Sequence, residues 1–240
     1  MTKNVPVEKI REAYEAGAKD FGENRVQELL TKKSELPRDI RWHFVGSLQT
    51  NKVRTLLDVE ADLVSARLSQ GQPPRQRRVH LWRKGLPLLL HSLDRVPLAE
   101  EIEKQAEKKN LRVEALIQVN TTGEAAKSGF VAEDVEAGVK AIAQMNRIQL
   151  RGLMTIGPTP SAPPRNNRDG AIFLENRTVP DFSSRDSFRR LRLLRDELQE
   201  KFPDLDLRQL SMGMSSDFEI AIEEGATLVR IGTAVFGERK

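Results

Sequence analysis

The chain has 240 residues, 38% hydrophobic and 31% charged, which suits one barrel-sized domain or two small ones. It contains no cysteine and three histidines (His43, His80, His91), which excludes disulfides, thiolate metal sites and a cysteine nucleophile and argues against a multi-histidine metal centre. Six of the 39 basic residues lie in 65–90, which holds no acid; the other 33 face 35 acids, so the net charge of +4 belongs to one segment and is not a general nucleic-acid signature.

No apolar run approaches the roughly 20 residues of a membrane helix. The first six residues lack the apolar core of a signal peptide, so the cytoplasm is the expected compartment.

In chain order the pattern alternates. Pro6 reads as the first residue of a helix that carries Ile10, Ala13 and Tyr14 on one face and closes at Gly17. A short strand at 20–24 precedes a helix over 26–33. A strand at 41–46 precedes a helix over 50–57. The next strand spans 88–93, and Pro97 opens a helix with Leu98, Ile102 and Ala106 aligned. A strand at 113–119 leads to a helix marked by Val135, Val139, Ile142 and Ala143. A strand at 150–156 is followed by a helix marked by Leu191, Leu194 and Leu198. Strands near Leu210 and over 228–231 flank a helix at 218–224.

That makes seven strands in strict alternation with helices, the signature of a parallel sheet. The expected architecture is a single-domain (β/α)8 TIM barrel over 1–240 that begins at its first helix. Its first strand is then missing ahead of Pro6, and a gap is expected between the strands at Phe21 and Val229. Two stretches, 65–90 and 159–186, break the rhythm with proline, glycine and unpatterned charge. They read as irregular insertions.

The chemistry concentrates near the C-terminus. Gln209-Leu-Ser-Met-Gly-Met-Ser-Ser-Asp217 and Leu228-Val-Arg-Ile-Gly-Thr233 are apolar runs that each end in a turn of small residues. A (β/α)8 barrel builds a phosphate site in this way, from the loops after its last two strands. Small residues let backbone N–H groups approach an anion. Arg230 lies inside an apolar run, where an unpaired guanidinium is costly to bury, so a ligand atom or a carboxylate is expected to meet it.

Plainer readings stand beside these. Ser215 and Ser216 suit the capping of the helix at 218–224. His43 and His91 read as satisfied barrel residues rather than acid–base groups. Asn24 suits a turn, and Lys52 and Lys127 are expected to face solvent. The arginines at 75–78 read as a solvated loop, since Trp82 alone supplies stacking nearby.

Seven segments in order resemble the pyridoxal phosphate homeostasis protein family, whose barrel is similar to that of alanine racemase. They are Phe21-Gly-Glu-Asn-Arg-Val-Gln-Glu28, Trp42-His-Phe-Val-Gly-Ser-Leu-Gln-Thr-Asn-Lys-Val-Arg54, His91-Ser-Leu-Asp-Arg95, Gln118-Val-Asn120, Gly152-Leu-Met-Thr-Ile-Gly157, Ser211-Met-Gly-Met-Ser-Ser-Asp-Phe218 and Val229-Arg-Ile-Gly-Thr-Ala-Val-Phe-Gly237. The resemblance implies binding of pyridoxal 5′-phosphate (PLP), with Ser215, Gly232 and Thr233 on the phosphate and Arg230 at the pyridine nitrogen. It implies Asn24 beside the ring and Met214 and Ile231 packed against it. It places Met1 where the family carries its Schiff-base lysine, which leaves Lys3 and the α-amine of Met1 as the two candidate substitute amines.

The implied function is PLP carriage and homeostasis by a monomer without turnover of its own, with no membrane or nucleic-acid partner. An arginine at the pyridine nitrogen keeps its proton, which makes the ring a weak electron sink. The alternatives are a racemase-like enzyme, a truncated cofactor-free product, and an RNA- or partner-binding protein acting through the basic insertion.

Overall fold

The computed structural model describes residues 1–68, 88–124, 127–158 and 183–237. Among the described residues there are eight strands: β1 Asp20–Glu23, β2 Arg41–Phe44, β3 Leu88–Leu93, β4 Val113–Asn120, β5 Phe130–Val131, β6 Ile148–Met154, β7 Gln209–Met214 and β8 Leu228–Arg230. Seven pair in parallel in the order β1-β2-β3-β4-β6-β7-β8, and β5 is a two-residue addition beside the end of β4. Every strand expected from the sequence forms. β5 was not foreseen, because two residues carry no periodicity.

The helices are α1 Val7–Glu15, α2 Val26–Glu35, α3 Val53–Leu68, α4 Val96–Lys108, α5 Val135–Ala143, α6 Ser184–Lys201, α7 Phe218–Glu223 and α8 Thr233–Phe236. Their apolar spacing decides which face is buried. On α4, Leu98, Ile102 and Ala106 recur every four residues, lie on one face and are all buried. The longest of the described helices, α6, is capped by Ser183, whose hydroxyl accepts the N–H of Asp186. With helices outside and side chains filling the interior, β4 is buried along almost its whole length, as parallel strands are.

Several boundaries differ from the sequence reading. Pro6 caps α1 in extended conformation rather than opening it. The helix expected over 50–57 begins as a 3-10 turn at Thr50–Lys52 and continues to Leu68, so 65–68 belong to α3. Likewise 88–90 belong to β3 and 184–186 to α6. The expected irregularity of 69–87 and 159–182, including the arginines at 75–78, lies outside the described residues.

The sheet path ends at β1 on one side and β8 on the other. Met1 and Thr2 span this interval at the C-terminal ends of the two strands. The Thr2 N–H donates to Gly22 O at 2.8 Å, and the Met1 ammonium donates to Ile231 O at 2.5 Å. Below them a slot of about 70 Å³ opens between the strands, bordered by Asp20, Phe21, His43, His91, Val229 and Arg230 among others. The expected gap between Phe21 and Val229 is therefore present. Among the described residues no helix is long and apolar enough to cross a membrane.

Candidate functional site

The ends of β7 and β8 form a cradle. At Gly213, φ is +86°, and a Cβ there would crowd the side chain of Ala221, so glycine lets α7 fold back on its strand. The turn that follows is pinned by Asp217: its Oδ1 accepts the Met214 N–H at 2.7 Å, and its own N–H donates to Met214 O at 3.1 Å. Ser215 faces the next loop. Its Oγ accepts the N–H of Gly232 at 3.2 Å and of Ala234 at 3.4 Å. No side chain caps α7, so the capping role expected for Ser215 and Ser216 is not taken up. Having accepted two N–H bonds, the Ser215 hydroxyl keeps its hydrogen for an acceptor in the mouth. Thr233 and Ala234 beside it are exposed, and an anion can reach them.

Arg230, the last residue of β8, is 7% exposed. One Nη donates to Ser211 Oγ and the other to Thr155 O, each at 2.7 Å. These use two of five N–H groups, and no carboxylate pairs with the guanidinium among the described residues. Burial lowers its pKa to about 10, with the charge of Asp217 opposing, so it stays protonated at neutral pH. A buried cation with donors to spare suits a ligand that presents an acceptor.

The other side of the mouth comes from β1. Asn24 follows that strand, and its backbone lies so close to Gly46 that a Cβ there would overlap the Asn24 carbonyl. The side-chain Oδ1 of Asn24 is buried without a hydrogen-bond partner. Leaving such an acceptor unmet costs about 1–3 kcal/mol, which a donor on a bound molecule would recover. Lys3 is half-buried in the turn after Thr2. Lys32 is buried and donates to Thr2 O, Glu23 Oε1 and Glu28 Oε2, which fixes the first residues against β1 and α2.

The structure thus gathers Met214, Ser215, Arg230, Ile231, Gly232 and Thr233 at adjoining strand ends. Asn24 and Lys3 lie on the β1 side, and Met1 joins the two sides, its ammonium on Ile231 O and its thioether where a Cβ on Gly22 would fall. Lys127, expected in solvent, is instead half-buried, paired with Glu124 at 2.7 Å and bonded to Gly157 O. Sequence reasoning missed Ser211 and Thr155 as the groups that hold Arg230. It also missed the link from His91 to Ser211 at 2.8 Å. A signal existed: Trp42 and Phe44 flank His43, so period-2 alternation sends His43 to the opposite face of β2, towards the barrel interior.

A family model described as the alanine racemase N-terminal domain matches residues 3–240. The chain is 43% identical over 240 residues to the pyridoxal phosphate homeostasis protein of Aquifex aeolicus, covering all of this chain and 85% of that one. It is 36% identical to the protein of the same name from Pseudomonas aeruginosa, covering 100% and 83%. Among solved structures it resembles PipY of Synechococcus elongatus with PLP bound, at a TM-score of 0.71 and 33% identity over 98% of this chain and 90% of that one. Likeness to an alanine racemase of Clostridium difficile, at a TM-score of 0.63 and 11% identity, concerns the fold alone.

Proposed function

Because the chain belongs to the pyridoxal phosphate homeostasis protein family, we propose that it binds PLP at the mouth formed by β1, β7 and β8 and acts as a carrier or regulator of that cofactor without turnover of its own. The observation that carries this reading is Arg230: a guanidinium buried at a strand end, with no acid paired to it among the described residues, beside the Ser215 hydroxyl that the 232–234 loop holds by two N–H bonds. The unmet Asn24 Oδ1 across the mouth fits the same ligand.

When bound, PLP supplies an aldehyde and an electron-withdrawing ring. The protein's part is to hold it. The Ser215 hydroxyl hydrogen, with Gly232 and Thr233 beside it, suits the phosphate, and Met214 and Ile231 suit the ring faces. Arg230 is held by Ser211 and Thr155 and keeps its proton at neutral pH, so it can donate to a ring nitrogen without charging it. That favours retention of the cofactor over carbanion chemistry. A racemase-like reading also needs an acid–base tyrosine. The single tyrosine, Tyr14, lies on α1, bonded to Asp39 with the Lys19 ammonium over its ring.

The test is a titration with PLP followed by absorbance and intrinsic fluorescence. Saturable one-to-one binding is expected. Arg230→Ala or Ser215→Ala should weaken it by roughly tenfold or more, the worth of about 1.4 kcal/mol from a charge-assisted hydrogen bond. Absence of saturable binding by the wild-type chain would overturn the proposal.

A further inference from the structure

We infer that Asp20, His43, His91 and Ser211 form a hydrogen-bonded relay that couples protonation of His43, at the slot between β1 and β8, to the anchoring of Arg230 at the mouth. The residues stand in line. Asp20 Oδ1 is 3.1 Å from His43 Nε2, His43 Nδ1 is 2.8 Å from His91 Nε2, and His91 Nδ1 is 2.8 Å from Ser211 Oγ. Arg230 closes the line by donating to Ser211 at 2.7 Å. The two imidazoles meet edge to face with centroids 5.1 Å apart. His91 and Ser211 are buried, while Asp20 is exposed and the His43 side chain retains 14% exposure, so protons enter at that end.

The ends fix the direction of every bond. A guanidinium only donates and a carboxylate only accepts. With both imidazoles neutral, His43 therefore carries its hydrogen on Nε2, facing Asp20, and its Nδ1 accepts from His91 Nε2–H. His91 Nδ1 then accepts the Ser211 hydroxyl hydrogen. Each group donates once towards Asp20, and Ser211 Oγ, polarised by its own donation, is a strengthened acceptor for Arg230.

Protonation of His43 reverses the middle of the line. Its Nδ1 becomes a donor, so His91 Nε2 must accept and the single hydrogen of His91 moves to Nδ1. Ser211 Oγ then receives both His91 and Arg230, and its own hydrogen leaves the line. His91 stays neutral throughout, because burial, with the charges of His43 and Arg230, holds its pKa well below the usual histidine range. The charged groups facing His43 are Asp20 on β1, itself bonded to Arg41 of β2, and, beyond His91, Arg230 on β8. Arg230 is thus held less firmly when His43 carries a second proton than when it is neutral.

The cofactor consequence rests on the reading that Arg230 contacts PLP, but the relay itself is measurable without any ligand. His80→Gln leaves two imidazoles, whose tautomers are read from nitrogen-15 shifts in a pH titration of the ligand-free protein. The expected result is that the hydrogen of His91 moves from Nε2 to Nδ1 as His43 protonates, and that Asp20→Asn moves this exchange to lower pH by removing the charge that favours the imidazolium. A His91 tautomer that does not change with His43, or an exchange unmoved in Asp20→Asn, would overturn the relay. In a parallel titration with PLP, the affinity advantage of wild type over Ser211→Ala should shrink by about 3- to 10-fold from high to low pH, the scale of one hydrogen bond. An advantage constant with pH overturns the coupling to Arg230. An intact tautomer exchange with no PLP binding at any pH overturns the cofactor reading and upholds the relay.

Discussion

Lys32 on α2 places its ammonium 2.7 Å from Glu23 Oε1 on β1, with the carboxylate wholly out of solvent. The same oxygen accepts the Thr2 hydroxyl at 2.6 Å, and Lys32 also donates to Thr2 O. One buried ion pair therefore ties the first two residues to the edge of the sheet. Lys32→Met should destabilise the fold by about 3–5 kcal/mol, because it leaves Glu23 charged and buried without its partner. Replacing both, as Lys32→Met with Glu23→Leu, should recover much of the loss, since an apolar pair strands no charge. Urea unfolding of the two variants measures the difference, and equal losses would contradict this account.

Much of the barrel was legible because its signals are local. Alternating apolar strands and four-residue spacing on helices such as α4 need no tertiary knowledge. Arg230 and the Ser215 turn were legible for the same reason: a cation in an apolar run and small residues at a strand end are visible in one window. What stayed hidden depends on register. Ser211 meets Arg230 only because β7 pairs with β8 through an irregular register between Ser211 and Met214. The Glu23–Lys32 pair lies in one predicted strand and one predicted helix, yet its burial follows from Thr2 closing over it. Insertion limits were misjudged where composition changes inside an element, as at 65–68 of α3.

Gly46 tests the β1 side of the mouth. A Cβ there would overlap the backbone of Asn24, which directly follows β1 and has little room to retreat. Gly46→Ala should cost about 1–3 kcal/mol, the range for forced overpacking. It should also lower PLP affinity by displacing Asn24 Oδ1. Paired thermal melts and PLP titrations check both effects. An alanine variant with wild-type stability would show that this approach is not tight.

Asp20 sets an acid dependence of stability. Partial burial acts to raise its carboxyl pKa, but hydrogen bonds from His43 and Arg41 outweigh that and hold it at about 2. Its ordinary value is roughly 3.9, so the folded state binds the proton less readily than the unfolded chain. The stabilisation is complete above about pH 4 and is lost as pH falls towards about 2. Asp20→Asn should therefore show a smaller drop in Tm across that window than wild type. The side chain is 45% exposed, so solvent screening keeps the difference modest. Parallel curves for the two proteins would remove the argument.

Lys3 is the amine we expect to meet the aldehyde of PLP. Position 1, where the family resemblance puts the usual lysine, holds a thioether. Among the neighbouring lysines, Lys32 gives all three N–H groups to Thr2 O, Glu23 and Glu28, so its nitrogen has no free path to a carbonyl carbon. Lys127 is likewise held by Glu124 and Gly157 O. Lys3 has no such acceptor among the described residues, and it lies one residue from Thr2, which is fixed between β1 and Lys32. Borohydride reduction of the PLP-treated protein, followed by peptide mapping, should place the label on the peptide containing Lys3. Lys3→Met should abolish the label and still leave saturable binding through Arg230 and Ser215, at reduced affinity. A label on Lys32, Lys52 or Lys127 would show that the aldehyde lies elsewhere in the mouth. Loss of all binding in Lys3→Met would show that the cradle alone does not hold the cofactor.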